Sequence, residues 1–205
     1  MTIYQHHVLS TLPRDAARVA GLAAKADTTA RAAGGRVFAA FTPMIGLSNN
    51  HAVLLSEFPD EATARACDLL SGIPCGIERH EFWEPAPRPV AGETIPETEG
   101  VFSHRWFDCA DGDWPRFQEL SVSAWDNFEG VHDTRVIGFW RSRTPPAAGL
   151  TRVWLMAWYR NLGAWEGSRW FLGNKGEEAA QAYERFRARS LLTVDSAVSL
   201  LRRVV

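Results

Sequence analysis

Residues 135–160 read RVIGFWRSRTPPAAGLTRVWLMAWYR, and they hold three of the nine tryptophans of the chain. A similar pattern lies earlier, in residues 36–58, RVFAAFTPMIGLSNNHAVLLSEF. Both stretches begin with Arg-Val and continue through an aromatic residue, a proline, Gly-Leu and a second apolar run. Two β-rich runs with turn residues between them are typical of a pair of strands. The agreement in order indicates that one structural unit is present twice.

The regions around the two strand pairs repeat in the same order. Each predicts a strand, a helix, the strand pair, a second helix and a final strand, which is the β-α-β-β-α-β order of a ferredoxin-like unit. The first repeat covers residues 1–83, a proline-rich linker covers 84–100, and the second repeat covers 101–205. A sheet with helices on one face must have its other face covered. We therefore predict an α+β fold in which the two repeats close an antiparallel α/β barrel with the helices outside.

The interior of such a barrel is the expected ligand cavity. Two details of the second repeat affect the shape of the predicted barrel. The pattern predicts one helix from Asp111 or Asp113 to Asn127. It leaves open whether residues 191–205 form a helix or a strand.

Composition limits the class of protein. Apolar residues make up 46% and charged residues 22% of the 205 positions, which is typical of a soluble globular protein. The net charge of −2, without a basic cluster, argues against a nucleic-acid partner. No apolar run approaches the roughly 20 residues that span a bilayer, and the first residues lack a signal-peptide pattern. The three scattered cysteines favour a reducing compartment, so we expect a cytoplasmic protein.

The end of the second strand pair carries a family resemblance. Tyr159 is followed by Leu162 and Arg169, a spacing similar to that in NIPSNAP-like proteins with two fused repeats. Arg105 and Phe107 stand where those proteins often have Arg and Tyr. The chain thus resembles the dimeric α/β-barrel superfamily over nearly its whole length. Members of that superfamily include cofactor-free monooxygenases, haem-degrading enzymes, dehydratases, polyketide cyclases, isomerases and stress proteins, so the resemblance implies a fold and not one reaction.

Side chains alternate across a strand, so residues 152–160 divide into a small apolar face and a large aromatic face. We expect the aromatic face to line the barrel cavity. With positions on neighbouring strands it gives the predicted substrate-binding residues, which are Tyr4, Trp106, Trp140, Trp154, Met156, Trp158 and Arg160. The alternative is that the tryptophans only fill the core, because aromatic stripes usually do so.

Histidine is the first candidate for proton transfer, because its pKa lies near neutrality. His104 leads, His6 holds the matching position in the first repeat, and His51 follows. A structural role in the core is the alternative for each of them. Arg105 and Tyr159 are predicted to stabilise a developing oxyanion.

Metal and nucleotide motifs such as HExxH, CxxC and GxGxxG do not occur in the sequence, so we predict neither a metal nor a cofactor. The first hypothesis is a cofactor-independent lyase, isomerase or cyclase that acts by proton transfer on a hydrophobic aromatic molecule. The alternatives are a cofactor-free monooxygenase, a non-catalytic small-molecule or haem binder, a stress protein and an interaction module. The expected partners are a small-molecule substrate and a second copy of the chain, without nucleic acid or membrane.

Overall fold

The computed structural model describes residues 1–11, 15–169 and 176–205, with only the backbone of residue 178. The strands within these ranges are β1 Ile3–Ser10, β2 Arg36–Ile45, β3 His51–Phe58, β4 Gly76–Pro85, β5 Val101–Ala110, β6 Thr134–Ser142, β7 Leu150–Tyr159 and β8 Thr193–Arg203. The helices are α1 Ala16–Ala32, α2 Glu61–Ala66, α3 Trp114–Val122, α4 Trp125–Val131, α5 Leu162–Gly167 and α6 Glu177–Ser190. No helix in these ranges is long and apolar enough to cross a membrane.

The strands close into a barrel in the order β1-β3-β2-β8-β5-β7-β6-β4. All the strand pairs are antiparallel. His6 lies opposite Leu55 in the pair β1–β3, and His104 lies opposite Met156 in the pair β5–β7. The two repeats therefore use an equivalent register. This architecture confirms the predicted α+β barrel of two ferredoxin-like repeats.

The second repeat differs in detail from its prediction. The helix predicted through Asn127 is two helices, because α3 ends at Val122 and α4 begins at Trp125. The final segment is a strand, β8, which pairs with β5 along most of its length and with β2 near its end. In the first repeat, the helix that follows the strand pair is only Glu61–Ala66, whereas its counterpart in the second repeat is Glu177–Ser190.

The inner side chains of the strands fill the barrel. Trp154 stands at the centre, with ring centroids 4.4 Å from Trp140 and 5.3 Å from Trp106, both stacked. The rings of His6 and His104 lie 4.8 and 5.1 Å from that of Trp154. Trp140, Trp154 and both histidines are at most 1% exposed. An eight-stranded barrel is just wide enough for its own side chains or for one small ligand. These rings lie in the interior, where the sequence predicted a ligand cavity.

The segment between the repeats, residues 86–100, covers one end of the barrel. Ile95 is 4% exposed and packs with the interior cluster. Nη1 of Arg203 donates to the carbonyl oxygens of Ile95 and Glu97 at 2.7 and 2.9 Å. Arg135 forms an ion pair with Glu97 at 3.3 Å. Strand-end arginines therefore hold this segment in place.

Candidate functional site

Neighbouring residues of β5 point to opposite sides of the sheet. His104 faces the barrel interior, where it meets Trp154. Ser103, Arg105 and Phe107 face the helices and line a cavity there. This alternation is the ordinary consequence of strand geometry. It places two adjacent candidates, His104 and Arg105, in separate environments.

The cavity lies between the outer face of the second-repeat sheet and the helices α4 and α6, and its volume is about 440 Å³. Such a volume lies within the range of small-molecule sites. Five aromatic side chains contribute to the wall, Phe107, Trp125, Phe128, Tyr159 and Phe186, and the rest of the described lining is aliphatic or polar. The three arginines that line it are Arg105, Arg169 and Arg189. An aromatic wall with a few cationic groups is suited to a flat organic molecule.

Arg189 comes from the last turn of α6 and is 6% exposed. Its guanidinium carbon lies 4.6, 4.9 and 5.5 Å from the ring centroids of Phe107, Phe186 and Phe117. Nη1 donates to Oγ of Ser121 at 3.3 Å. Burial, and then the neighbouring charge of Arg105, lower the pKa of Arg189 to about 9. The side chain is therefore still a cation at neutral pH, in a largely apolar setting.

Arg105 shares this environment. Burial lowers its pKa, and the charge of Arg169 lowers it further, whereas Tyr159 acts in the opposite direction. Arg169 thus makes the charged states of Arg105 and Arg189 less favourable, and Arg105 does the same to Arg189, as like charges do. The cavity carries a concentrated positive charge.

Arg169 and Tyr159 are held together at the wall. Nη2 of Arg169 donates to the hydroxyl of Tyr159 at 3.3 Å and to Oγ of Ser168 at 2.8 Å. Its Nε donates to the carbonyl oxygen of Trp165 at 3.2 Å. These bonds fix the direction of the guanidinium, and the Tyr159 hydroxyl keeps its own proton free to donate.

Of the predicted catalytic residues, Arg105 and Tyr159 line this cavity. His104 and His6 lie inside the barrel, where burial lowers the pKa of both, that of His104 to about 3. Oε2 of Glu81 is 3.8 Å from Nδ1 of His6, too far for a hydrogen bond. Both histidines are therefore neutral at pH 7. His51 is partly buried at the start of β3 and is not among the lining residues.

The predicted substrate-binding residues belong to the barrel core or to its surface. Those with 0% exposure are Tyr4, Trp140, Trp154 and Met156. Trp106 and Trp158 are partly exposed and pack against the same cluster. Arg160 forms an exposed ion pair with Asp133 at 2.6 Å. The aromatic face does point inward as expected, and its rings pack against one another.

Arg189 was not among the predicted functional residues, although its position in the sequence carries a signal. Ala179, Ala182 and Phe186 of α6 are spaced as one helical face, and Arg189 continues that spacing. An arginine on the apolar face of a helix either extends its guanidinium to solvent or is buried because it has a structural or functional role. The structure has it buried.

The described side chains bear on whether the protein can hold a metal ion or a haem group. Within the described ranges, no group of three or more His, Cys, Asp or Glu side chains is arranged to hold a metal ion. A haem iron needs an axial ligand such as His, Cys, Met or Tyr. Tyr159 is the one such side chain among the described lining residues, and its hydroxyl accepts a hydrogen bond from Arg169. The described lining therefore offers no histidine, cysteine or methionine as an axial ligand.

No protein-family model and no curated protein matches the sequence. Solved structures do match the fold. A candidate monooxygenase from Fusobacterium nucleatum is similar with a TM-score of 0.62 and 8% identity, over 100% of this chain and 93% of the other. An anthrone oxidase-like protein gives 0.54 and 12%, over 100% and 92%. A candidate chlorite dismutase gives 0.57 and 12%, over 100% and 96%. These likenesses show the fold alone, an antiparallel α+β barrel of two ferredoxin-like repeats in one chain.

Proposed function

We propose that the protein is a cofactor-independent enzyme that acts on a hydrophobic aromatic small molecule in the cavity between the second-repeat sheet and helices α4 and α6. The observation that carries the proposal is the presence of Tyr159 and Arg105 in one aromatic cavity of about 440 Å³. A substrate ring would lie among the aromatic side chains. Its reacting oxygen would lie near the guanidinium groups.

The chemistry favoured by these groups is proton transfer with stabilisation of an oxyanion. Asp195, the acid of the described lining, would take a proton from a phenol or from carbon beside a carbonyl, and Arg105 would stabilise the resulting anion from a fixed position. The Tyr159 hydroxyl is the group suited to return a proton to that anion, with Arg169 as its orienting partner. Return of the proton to a different atom, after which Tyr159 regains its own proton from Asp195 through solvent, is an isomerisation. Expulsion of a leaving group by the same anion would make the enzyme a lyase, and attack of the anion on a carbonyl of the same molecule would make it a cyclase.

Cofactor-free oxygenation is the second candidate function. An electron-rich aromatic anion of the kind described is also a species that can be oxidised directly by molecular oxygen. Two of the similar structures carry the names of a candidate monooxygenase and an anthrone oxidase-like protein. Oxygen uptake coupled to substrate loss distinguishes this candidate from isomerisation.

We include in the same proposal that the chain is a NIPSNAP-like protein and that it forms a homodimer. Tyr159 and Arg169, two of the residues of that resemblance, both line the cavity. The oligomeric state is measured by sedimentation.

The test of function compares neighbours on β5. The purified protein is incubated with a panel of phenols, anthrones and aromatic acids, and products are followed by mass spectrometry with an oxygen electrode. Arg105→Met and Tyr159→Phe should each reduce turnover by about 100-fold. His104→Gln, on the other face of the sheet, should leave turnover within about twofold of the parent. Turnover that survives Arg105→Met and Tyr159→Phe but is lost in folded His104→Gln would move the site into the barrel.

A further inference from the structure

The positive charge of the cavity is not balanced by an acid among the described residues that line it. Arg105, Arg169 and Arg189 have no carboxylate partner there within hydrogen-bonding distance. The acidic residue of the described lining, Asp195, is exposed, and its Oδ1 accepts from the backbone N–H of Ser196 at 2.8 Å. Among the described lining residues, the three guanidinium charges therefore have no carboxylate beside them.

Two partly buried arginines elsewhere in the described chain behave differently. Arg152 forms two hydrogen bonds of 2.8 Å with the carboxylate of Asp108. Arg88 pairs with Glu129 at 2.8 Å. Both of these arginines are more exposed than Arg189, yet they have an acid beside them. A buried cation without an anion costs folding free energy, so the exception requires an explanation.

We propose that the natural ligand of this cavity is an aromatic acid, bound as its anion, with Arg189 as the anchor at the inner end. This proposal rests on the proposed function only because both concern the same cavity.

The donor capacity of Arg189 supports this assignment. A guanidinium has five N–H donors, and a single hydrogen bond, to Ser121, is described for this one. Phe107, Phe117 and Phe186 lie close to its guanidinium carbon. Aromatic rings satisfy the charge in part but accept no ordinary hydrogen bonds in the guanidinium plane. A carboxylate meets the fork of an arginine with two parallel bonds.

The remaining wall determines the rest of the ligand. Trp125, Phe128 and Phe186 offer apolar surface, while Ser103 and Ser168 add neutral hydroxyls. A bare phosphate or a sugar acid would leave the aromatic wall without contact. A fused or single aromatic ring with one carboxylate uses both parts of the cavity, with Arg105 and Arg169 available to a phenolic or carbonyl oxygen.

The test uses an acid and its neutral isostere. Thermal unfolding and calorimetric titration are carried out with sodium 2-naphthoate and with 2-naphthamide, on the full chain at low chloride. The acid should raise the melting temperature by about 5 °C or more when present at about 100 times its dissociation constant. The amide should raise it by less than about 1 °C, because it lacks the charge.

Variants assign the anchor. Arg189→Met removes the charge and keeps much of the volume, so the unliganded variant should melt at a higher temperature than the parent while its response to naphthoate is lost. Arg105→Met should weaken the response about tenfold in dissociation constant. Arg31→Met, on the exposed surface of α1, is the matched control and should change neither quantity.

Equal stabilisation by acid and amide, no stabilisation by naphthoate at millimolar concentration, or a full response in both Arg189→Met and Arg105→Met would each overturn the inference. Failure of the proposed function gives a different result. Acid-selective stabilisation with no turnover of any substrate would leave the acid site in place and make the protein a binder. Turnover of neutral aromatic compounds without acid preference would preserve the enzyme and remove the acid ligand.

Discussion

The two faces of the second-repeat sheet are filled in different ways. On the inner face, Trp154 is stacked between Trp140 and Trp106 and is 0% exposed. On the outer face, its neighbours Leu155 and Ala157 border a cavity of about 440 Å³. Large rings that face one another across a narrow barrel pack closely. Small side chains beneath helices leave space that the helices do not fill, so the cavity lies on the less aromatic face of β7.

The outer face of the first-repeat sheet is packed against its helices instead. There α1 packs on the sheet with the small buried residues Ala23, Ala26 and Ala30. Gln5 donates from Nε2 to the carbonyl oxygen of Ala64 in α2. His7, at the position that Arg105 holds in the second repeat, is 3% exposed and stacks on His80 with centroids 4.1 Å apart.

The largest expected effect is the difference in unfolding free energy lost when a side chain is truncated on each face of the sheet. Trp154→Ala removes the central ring of the barrel and should lower the free energy of unfolding by about 3–5 kcal/mol. Leu155→Ala, one residue along and partly buried beside the cavity, should cost about 1 kcal/mol or less, because the space it vacates adjoins existing space. Urea unfolding measures both. Similar losses in the two variants would mean that the faces are equally packed.

Gly138 tests how closely the interior rings fit. A Cβ built at Gly138 would clash with three ring atoms of Trp140, which is itself stacked on Trp154. Gly138→Ala should therefore destabilise the protein by about 2–3 kcal/mol. Gly130→Ala is the matched control, since nothing lies within 4 Å of its Cβ and alanine favours the helix α4. A neutral Gly138→Ala would indicate a looser interior than the one described.

The sequence predicts the barrel well, because strand alternation and the repeated order of elements depend on local spacing. The same alternation correctly groups Trp154 with Trp158, and separates Arg105 from His104. It does not indicate which face has room, since that depends on the distance between helices and sheet. That distance follows from long-range features, among them the break between α3 and α4 and the position of Arg189. Arg105 and Tyr159 were predicted as functional residues, but for a cavity on the opposite side of the sheet.

Acid should weaken the inner face through its histidines. In the folded protein the pKa of His104 is about 3, whereas its ordinary value is 6.5, because burial disfavours the charged ring. The unfolded chain therefore binds more protons between these values, and stability falls as pH decreases from about 6.5 towards 3. His104→Gln should lose about 2 kcal/mol less stability than the parent between pH 7 and pH 5.

The comparison of slopes cancels titrating groups that do not interact with His104, such as Glu81, whose pKa burial raises. His6 does not cancel, because its pKa is lowered first by burial and then by His104, so part of the difference in slope belongs to this pair. Guanidinium unfolding at several pH values gives the slopes. Identical slopes for parent and variant would show that His104 is not held neutral by the barrel.

The smallest effect concerns the outer face alone and tests why the second repeat has the site. Ser103→Gln with Arg105→His gives β5 the residues found at the matching positions of β1, Gln5 and His7. The double variant should bind 2-naphthoate about tenfold more weakly, because it loses a cation and gains bulk at the cavity wall. Arg189 would still supply an anchor, so the loss should be partial and not complete. His7→Gln, in the closed first repeat, is the control and should leave the affinity unchanged. If calorimetry instead finds the double variant unimpaired, the acid does not contact β5, and the difference between the repeats lies in α6 and its Arg189.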